Sequence, residues 1–524
     1  MKSVSIISPP GKPLRGAGGV VYNAAMTTSS LSATNARRAA RNAGAIALAR
    51  VISSAAQFGW QIILGRALGD AAYGVYGTVN ALFAVGVTVA SFSISLIVIR
   101  EVARQPERAG RYWSAALFIQ TVASLIAYLG INVAATGYGG EIHAYAAISG
   151  LSLFIDTFGT HCYDQLLAQE RMVATSLVEI GHIAARLTLA GAALALGGGL
   201  LGVYAATLIT GVGRTTALWH LLRRTGVHPQ FPADRRLITA LLRDAFPLTI
   251  YAFIGMTYTQ IDRLLTSSLL TDADTGQLTA AMVIVMGAVE ILSTTVLVAL
   301  YPMLSRSAQG DAAAAGFRFI VDKLAFFTLL IVVPMWLIFA FFAPAVIVPL
   351  FGEKFLAAAE VLRLLMGFAA ATMVSNVFAQ AMFAQNRQRR LVVFRLVGLA
   401  LKLILSLALL PRVGVVGASA SAALSEIAVL ALLTRDFRLD WRRWLPRLLR
   451  LGALTAVSAA VMAIFGGLHA YAGIVLGGAI YAAGVLVGRV LAADDWDLLY
   501  RLAAAMPGGA LIRRYWRRGT PIRW

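Results

Sequence analysis

An all-α, polytopic membrane protein of about 14 transmembrane helices is the fold class this sequence predicts, and three observations predict it. Only 13% of its 524 residues are charged against 59% hydrophobic, at a mean hydropathy of +0.75, where a soluble chain carries about 25% charged residues. The apolar residues fall in runs of about 20, the length needed to cross a bilayer. Those runs are rich in Leu, Ala, Val and Ile without alternating, so backbone satisfaction in lipid is met by helices and not by a β-barrel. The third observation is where the basic residues stand.

Spans are expected at approximately 43–64, 73–95, 113–135, 142–162, 173–196, 201–222, 246–268, 278–300, 320–342, 358–384, 392–410, 414–433, 449–466 and 471–491. With the N-terminus inside, the inner segments hold 35 of the 45 Lys and Arg residues, and the outer loops hold three, Arg66, Lys354 and Arg412. That asymmetry is a strong positive-inside signal, and an error of one span in the middle would scramble it. Both termini are therefore expected in the cytoplasm. The net charge of +21 is accounted for by loop bias, and no nucleic-acid partner is called for.

Residues 1–42 form a cytoplasmic extension expected to lack regular structure. The extension has no apolar core of the signal-peptide kind, and Met26 offers a second candidate start. "PPGKP" at 9–13 lacks the first Gly and the Ser/Thr of a phosphate loop. With no Walker A sequence anywhere, ATP hydrolysis by this chain is not expected. The single Cys162 rules out an internal disulfide and a cysteine metal cluster.

Two halves of the chain can be matched. "LLAQERM" at 166–172 answers to "MFAQNRQ" at 382–388, "GGLLGVYAAT" at 198–207 to "VGVVGASASA" at 413–422, and "LGDAAYG" at 68–74 to "LTDADTG" at 270–276. Their common order and spacing predict two six-helix lobes in parallel pseudo-twofold repeat, an arrangement that places a site between lobes. The expected organisation is a first lobe at 43–222, an inner linker at 223–245 with an amphipathic helix lying on the membrane surface, and a second lobe at 246–433. Two further helices (434–491) and a basic cytoplasmic tail (492–524) follow.

Six plus six plus two spans, together with "ILGRALGDAAYGVYG" at 63–77, "LLAQERM", "YTQIDRLL" at 258–265, "YPMLSR" at 301–306 and "LFGEKFLAAAEVLRLL" at 350–365, resemble the multidrug/oligosaccharidyl-lipid/polysaccharide flippase superfamily. Within it the details look like the bacterial flippases for O-antigen and exopolysaccharide repeat units, over about residues 43–433. The chain departs from that pattern at "TGQLTAAM" (275–282), with Leu278 where the family carries Tyr. The resemblance implies translocation of an undecaprenyl-pyrophosphate-linked oligosaccharide across the bacterial inner membrane for surface polysaccharide biosynthesis. It also implies a polymerase and chain-length regulator as neighbours in the membrane, H⁺ or Na⁺ as coupling ion, and no cofactor. The alternatives are a cation-coupled multidrug exporter of the same superfamily and a non-transporting scaffold.

Eleven ionisable residues lie inside the spans: Arg50, Arg186, Arg214, Arg263, Arg395, Lys402, Asp156, Glu179, Asp262, Glu290 and Glu426. Facing lipid, they would cost about 30 kcal/mol together, more than a fold absorbs. They must line a wet cavity, pair with one another, or snorkel. A pyrophosphate entering from the cytoplasm calls for fixed positive charge in a low-dielectric cleft, which Arg meets with its planar fork of donors. Arg50, Arg186, Arg214 and Lys402 are accordingly read as cavity cations, with Gln57, Gln61 and Asp262 as polar lining for the glycan. Glu179 and His182 share a helical face with Arg186. With Asp156, Glu290 and Glu426 they are read as coupling sites or ion-pair partners. Arg395, near the cytoplasmic end of its span, is expected to snorkel. Asp262 and Arg263 are adjacent and point about 100° apart, so Asp262 is placed on the cavity and Arg263 toward the outer surface or another helix.

No HExxH, nucleophile elbow or large extracellular loop is present in the sequence, which argues against a glycosyltransferase, ligase or polymerase.

Overall fold

The structure is a computed structural model. It describes the chain from Gly18 to Leu491, apart from 308–312, 386, 468 and 488–489, together with Asp495; the side chains of 18–51 and 291–315 are outside that description. Every regular element among the described residues is helical, with no strand. In chain order the helices are α1 (Gly18–Ser91), α2 (Ser95–Arg104), α3 (Ala109–Ala135), α4 (Gly140–Ala168), α5 (Met172–Ala195), α6 (Gly199–Arg223) and α7 (Arg235–Leu269). The remainder are α8 (Asp272–Ser307), α9 (Ala313–Phe351), α10 (Ala358–Ala384), α11 (Gln388–Val413), α12 (Val415–Asp436), α13 (Trp441–Gly466) and α14 (Ala470–Val487).

Ten of the described stretches are long and apolar enough to cross a membrane. One of them, Ile52–Arg104, contains a break at Gly69, whose φ of 78° and ψ of 178° no helix allows. The two limbs of α1 fold back on each other. Fifteen residues of continuous helix would separate Gln61 from Tyr76 by about 22 Å, whereas the Gln61 amide lies 3.5 Å from the Tyr76 hydroxyl. With α1 supplying two spans, and α4, α6 and α8 supplying helices of 29, 25 and 36 residues, each expected span falls on a helix, although α1, α7, α9 and α13 run well beyond the expected bounds.

Two expectations about the flanking segments change. Residues 18–42 continue α1 as helix, while 1–17 and all of the 492–524 tail except Asp495 lie outside the described residues. The linker helix expected to lie flat is instead the start of α7, which runs unbroken for 35 residues, about 52 Å. Its N-cap is Asp234, whose carboxylate accepts from the backbone N–H groups of Arg236 and Leu237 at 2.9 and 3.4 Å. That satisfies donors every helix start leaves open.

The lobes repeat one packing scheme. In the first, α6 packs on α4 and α5, α3 on α4, and α1 on α5; in the second, α12 packs on α10 and α11, α9 on α10, and α7 on α11. The pair α13–α14 docks on α9, where Trp444 donates to the Asp322 carboxylate and the Tyr481 hydroxyl donates to the Leu330 carbonyl at 2.9 Å.

Between lobes the broadest contact joins the second limb of α1 to α8, at the end of the bundle away from the basic loops. A Cβ on Gly74 would lie 1.8 Å from the Asp272 carbonyl oxygen, and one on Gly276 would lie 2.0 Å from the Asp70 carbonyl oxygen. Gly74 and Gly276 close the matched motifs "LGDAAYG" and "LTDADTG", and Asp70 and Asp272 hold equivalent places in them. The contact is thus self-complementary about the pseudo-twofold axis, as in an isologous dimer interface. It brings the lobes together at backbone distance on that side.

Candidate functional site

Four charges inside the second lobe, Asp262, Lys402, Arg395 and Glu426, gather in two ion pairs around Tyr258. Gly398 lets α11 approach α12 and α7, since a Cβ there would lie 2.4 Å from Val429 and 3.4 Å from Tyr258. One turn further, the Lys402 ammonium reaches the Asp262 carboxylate at 2.6 Å and donates to the Tyr258 carbonyl at 2.8 Å, so it bridges one turn of α7. The ammonium also sits 4.5 Å from the centre of the Tyr258 ring and 5.2 Å from that of Phe368, a favourable position over aromatic faces. On the other side of Tyr258, its hydroxyl donates to Glu426 at 2.8 Å, and Arg395 donates to the same carboxylate oxygen at 2.9 Å. Asp262, Lys402 and Glu426 are fully buried.

Lys402 and Asp262, both expected on the cavity, therefore satisfy each other inside the lobe. Arg395, expected to snorkel, turns inward to Glu426. The seven-residue spacing of Arg395 and Lys402 does bring both cations to one seam, but each meets a carboxylate there. Two buried ions of opposite sign cost less together than either alone.

The first lobe holds a second cluster. Arg214 on α6 contacts Glu179 on α5 through two nitrogens, Nη2 at 2.6 Å and Nε at 2.8 Å. It lies across Gly159 of α4, where a Cβ would stand 3.0 Å from an Arg214 nitrogen. His182 Nδ1 lies 3.1 Å from the Thr210 carbonyl oxygen, which makes it an interhelical link. Asp156 on α4 is half-buried and feels both Arg214 and Arg186.

Arg186 differs from these. It is half-buried, its buried Nε has no partner, and it forms no ion pair or hydrogen bond among the described residues. From the opposite lobe, Arg263 on α7 donates only to Gln260, at 2.9 Å, and its buried Nε is also unpartnered. Both arginines act electrostatically on Tyr76, and Arg263 also acts on Tyr73. The Tyr73 hydroxyl donates to Gln61 at 3.1 Å, and the Tyr73 and Tyr76 rings stack at 5.9 Å. Tyr76 continues to Tyr204 and Tyr145 at 6.2 and 5.6 Å. Between the lobes, beneath the Gly74–Gly276 contact, the chain thus gathers two arginines that form no contact ion pair among the described residues, an amide and a run of tyrosines.

Of the other expected site residues, Gln57 and Glu290 are exposed, and the side chain of Arg50 lies outside the described residues. Arg263 and the tyrosines were not among the expected site residues. The sequence signal for Arg263 was its place beside Asp262, about 100° around α7: if one faces its own lobe, the other faces the neighbour.

The family model described as "Polysaccharide biosynthesis protein" matches residues 39–308, just over half of the chain. The chain belongs to the polysaccharide biosynthesis protein family. No curated protein matches it in sequence. Among solved structures, the lipid II flippase MurJ in an inward closed conformation matches with a TM-score of 0.71 at 13% identity, over 84% of this chain and 98% of that one. An inward-facing multidrug resistance MATE transporter of the MOP superfamily matches with a TM-score of 0.57 at 16% identity, over 74% and 94%. A variant of the Vibrio cholerae MATE transporter VcmN gives 0.52 at 14%, over 78% and 98%. At these identities the likeness is one of fold. The polysaccharide biosynthesis protein described here accordingly is a multi-pass membrane protein whose fold is like that of MurJ and of the MATE transporters.

Proposed function

We propose that this polysaccharide biosynthesis protein translocates a lipid-linked oligosaccharide, carried on undecaprenyl pyrophosphate, from the cytoplasmic to the outer leaflet of the bacterial inner membrane. The observation that carries the reading is the pair Arg186 and Arg263, one from each lobe, each with a buried Nε that has no partner and no ion-pair contact among the described residues, and both acting electrostatically on Tyr76. A pyrophosphate supplies the missing negative charge and accepts the planar donor forks that Arg offers. The tyrosines and Gln61 suit the adjoining sugars, with ring faces and hydroxyls that exchange hydrogen bonds. The prenyl chain stays in lipid. Because each arginine belongs to a different lobe, a bound pyrophosphate draws the lobes together on the open side, and release follows when the Gly74–Gly276 contact parts.

In this reading the termini are cytoplasmic, and the basic loops mark the side of entry. A cation-coupled drug exporter is less well supported, because the most deeply buried acids, Asp262 and Glu426, are already held by Lys402 and Arg395.

The test is transport of fluorescent undecaprenyl-pyrophosphate oligosaccharide in proteoliposomes. Losing a hydrogen bond to a charged group costs about 1.5–3 kcal/mol, so Arg186→Gln and Arg263→Gln should each lower initial rates roughly 10- to 100-fold. Rates unchanged in the double variant would sink the proposal.

A further inference from the structure

A second basic site lies outside the translocation path. At the basic-loop end of the bundle, the last turn of α12 and the first turns of α11 border an open cleft of about 540 Å³. Asp436 stands at its centre and accepts from Arg387 at 2.5 Å and from Arg390 at 3.0 Å. Arg435 and Arg438 complete the rim. Both are exposed, and neither side chain forms an ion pair or hydrogen bond among the described residues. Four arginines and one carboxylate therefore line the cleft, an excess of positive charge around an open space. Phe394 and Leu432 line the same cleft and give it an apolar wall.

Two comparisons within the chain set this site apart. The left-handed residue that ends α6 in the first lobe is Gly226, at φ 76°. After α12 the left-handed residue is Arg438, at φ 51°, a conformation that normally favours glycine. A long cationic side chain is thus kept at a position where the backbone alone would select Gly. The first lobe also has no anchoring acid at this place, because α6 ends in Arg223 and Arg224. The cleft belongs to the second lobe alone.

We infer that this cleft binds the headgroup phosphate of an anionic glycerophospholipid of the membrane's basic-loop leaflet. The phosphate sits between Arg435 and Arg438, and an acyl chain lies along Phe394 and Leu432. Arg387 and Arg390, oriented by Asp436, set the floor. The combination of a guanidinium rim with an apolar wall at a helix end in the interfacial zone favours a lipid over free phosphate, since basic pockets between helices at this depth take anionic headgroups.

The test is native mass spectrometry of the delipidated full chain, titrated with phosphatidylglycerol, phosphatidylcholine, inorganic phosphate or undecaprenyl pyrophosphate. Wild-type protein should retain phosphatidylglycerol at least tenfold better than phosphatidylcholine, and inorganic phosphate should not displace it at equal concentration. Arg435→Ala/Arg438→Ala should abolish that preference, whereas Arg223→Ala/Arg224→Ala at the matching end of α6 should keep it. Equal losses in the two double variants would indicate a diffuse basic surface and overturn the proposal. Displacement by inorganic phosphate, or retention of undecaprenyl pyrophosphate alone, would overturn it equally. Unchanged thermal melting of Arg435→Ala/Arg438→Ala separates a lost site from a lost fold.

Discussion

Asp262 and Arg263 are neighbours in the chain and act on different lobes. Asp262 is fully buried against Lys402 of α11 at 2.6 Å, inside the second lobe. Arg263 donates to Gln260 of its own helix and acts electrostatically on Tyr73 and Tyr76 of the first. One residue step on a helix is 100°, which is what a helix at a lobe boundary needs to carry one charge that holds its own lobe and another that reaches across. The two charges consequently answer to different experiments.

The Lys402–Asp262 pair should behave as a structural unit. Removing one partner leaves an uncompensated buried charge and costs about 3–5 kcal/mol, whereas replacing both by apolar residues of similar volume is nearly neutral. Lys402→Met alone should therefore cut the yield of monodisperse protein and lower its melting temperature. Lys402→Met/Asp262→Leu should restore most of both, read by fluorescence size-exclusion after heating. A double variant as damaged as the single one would show that the pair does more than neutralise itself.

Arg395 and Glu426 give a sharper contrast, because a snorkelling arginine and a buried one respond differently to the same change. Arg395 donates to Glu426 at 2.9 Å and lies 5.5 Å from the centre of the Tyr258 ring. Arg395→Gln should destabilise the protein by about 3 kcal/mol, and Glu426→Gln in the same chain should recover more than half of that. If Arg395→Gln melts like wild type, the inward geometry has no energetic weight.

How far the sequence reached can be judged residue by residue. Span positions were legible because hydrocarbon thickness acts on the chain locally. The repeat was legible because both lobes are built from one pattern. The partners of the charges were not. Whether Lys402 faces a cavity or a carboxylate depends on which face of α11 meets α7, and the sequence gives the angle between two residues on one helix, not the rotation of that helix against its neighbour. Arg395 was misplaced for the same reason: its distance from the membrane surface allowed snorkelling, and only the packing of α12 put Glu426 within reach. Arg186 and Arg263 stand out only by elimination, once every other described cation of the spans has found an acid.

Asp234 makes a prediction about acid. Its carboxylate is held below the usual range, first by the hydrogen bond from Arg111 and then by the backbone N–H of Arg236, while it caps α7. A depressed folded-state value means a contribution that is fully present above the unfolded value of about 3.9 and is lost as pH falls through the folded value. Hydrogen exchange at 235–241 should thus be the same at pH 7 and pH 5 after correction for intrinsic rates. Asp234→Asn keeps a good cap but loses the ion pair, and Asp234→Ala loses both. Protection should fall in that order, and equal protection in all three chains would rule out the cap as the determinant.

The self-complementary contact of Gly74 and Gly276 predicts a change of state and not of stability. A methyl group at either position would meet the backbone carbonyl of Asp272 or Asp70 at about 2 Å, and backbone cannot move aside as a side chain can. The strain falls only on the conformation in which the lobes touch there, so Gly276→Ala should shift the population toward the conformation in which they part. A penalty of about 1.4 kcal/mol corresponds to a tenfold shift. In a Cys162→Ala background, a single cysteine placed by Thr271→Cys next to this seam should react about tenfold faster with a membrane-impermeant maleimide when Gly276→Ala is added. Gly255→Ala, at a site where a Cβ meets nothing within 4 Å, should leave the rate alone. Because the contact is pseudo-symmetric, Gly74→Ala should reproduce the effect of Gly276→Ala, and the two together should exceed either. Labelling that does not change in any of the three chains would mean that the close approach is not what holds this side shut.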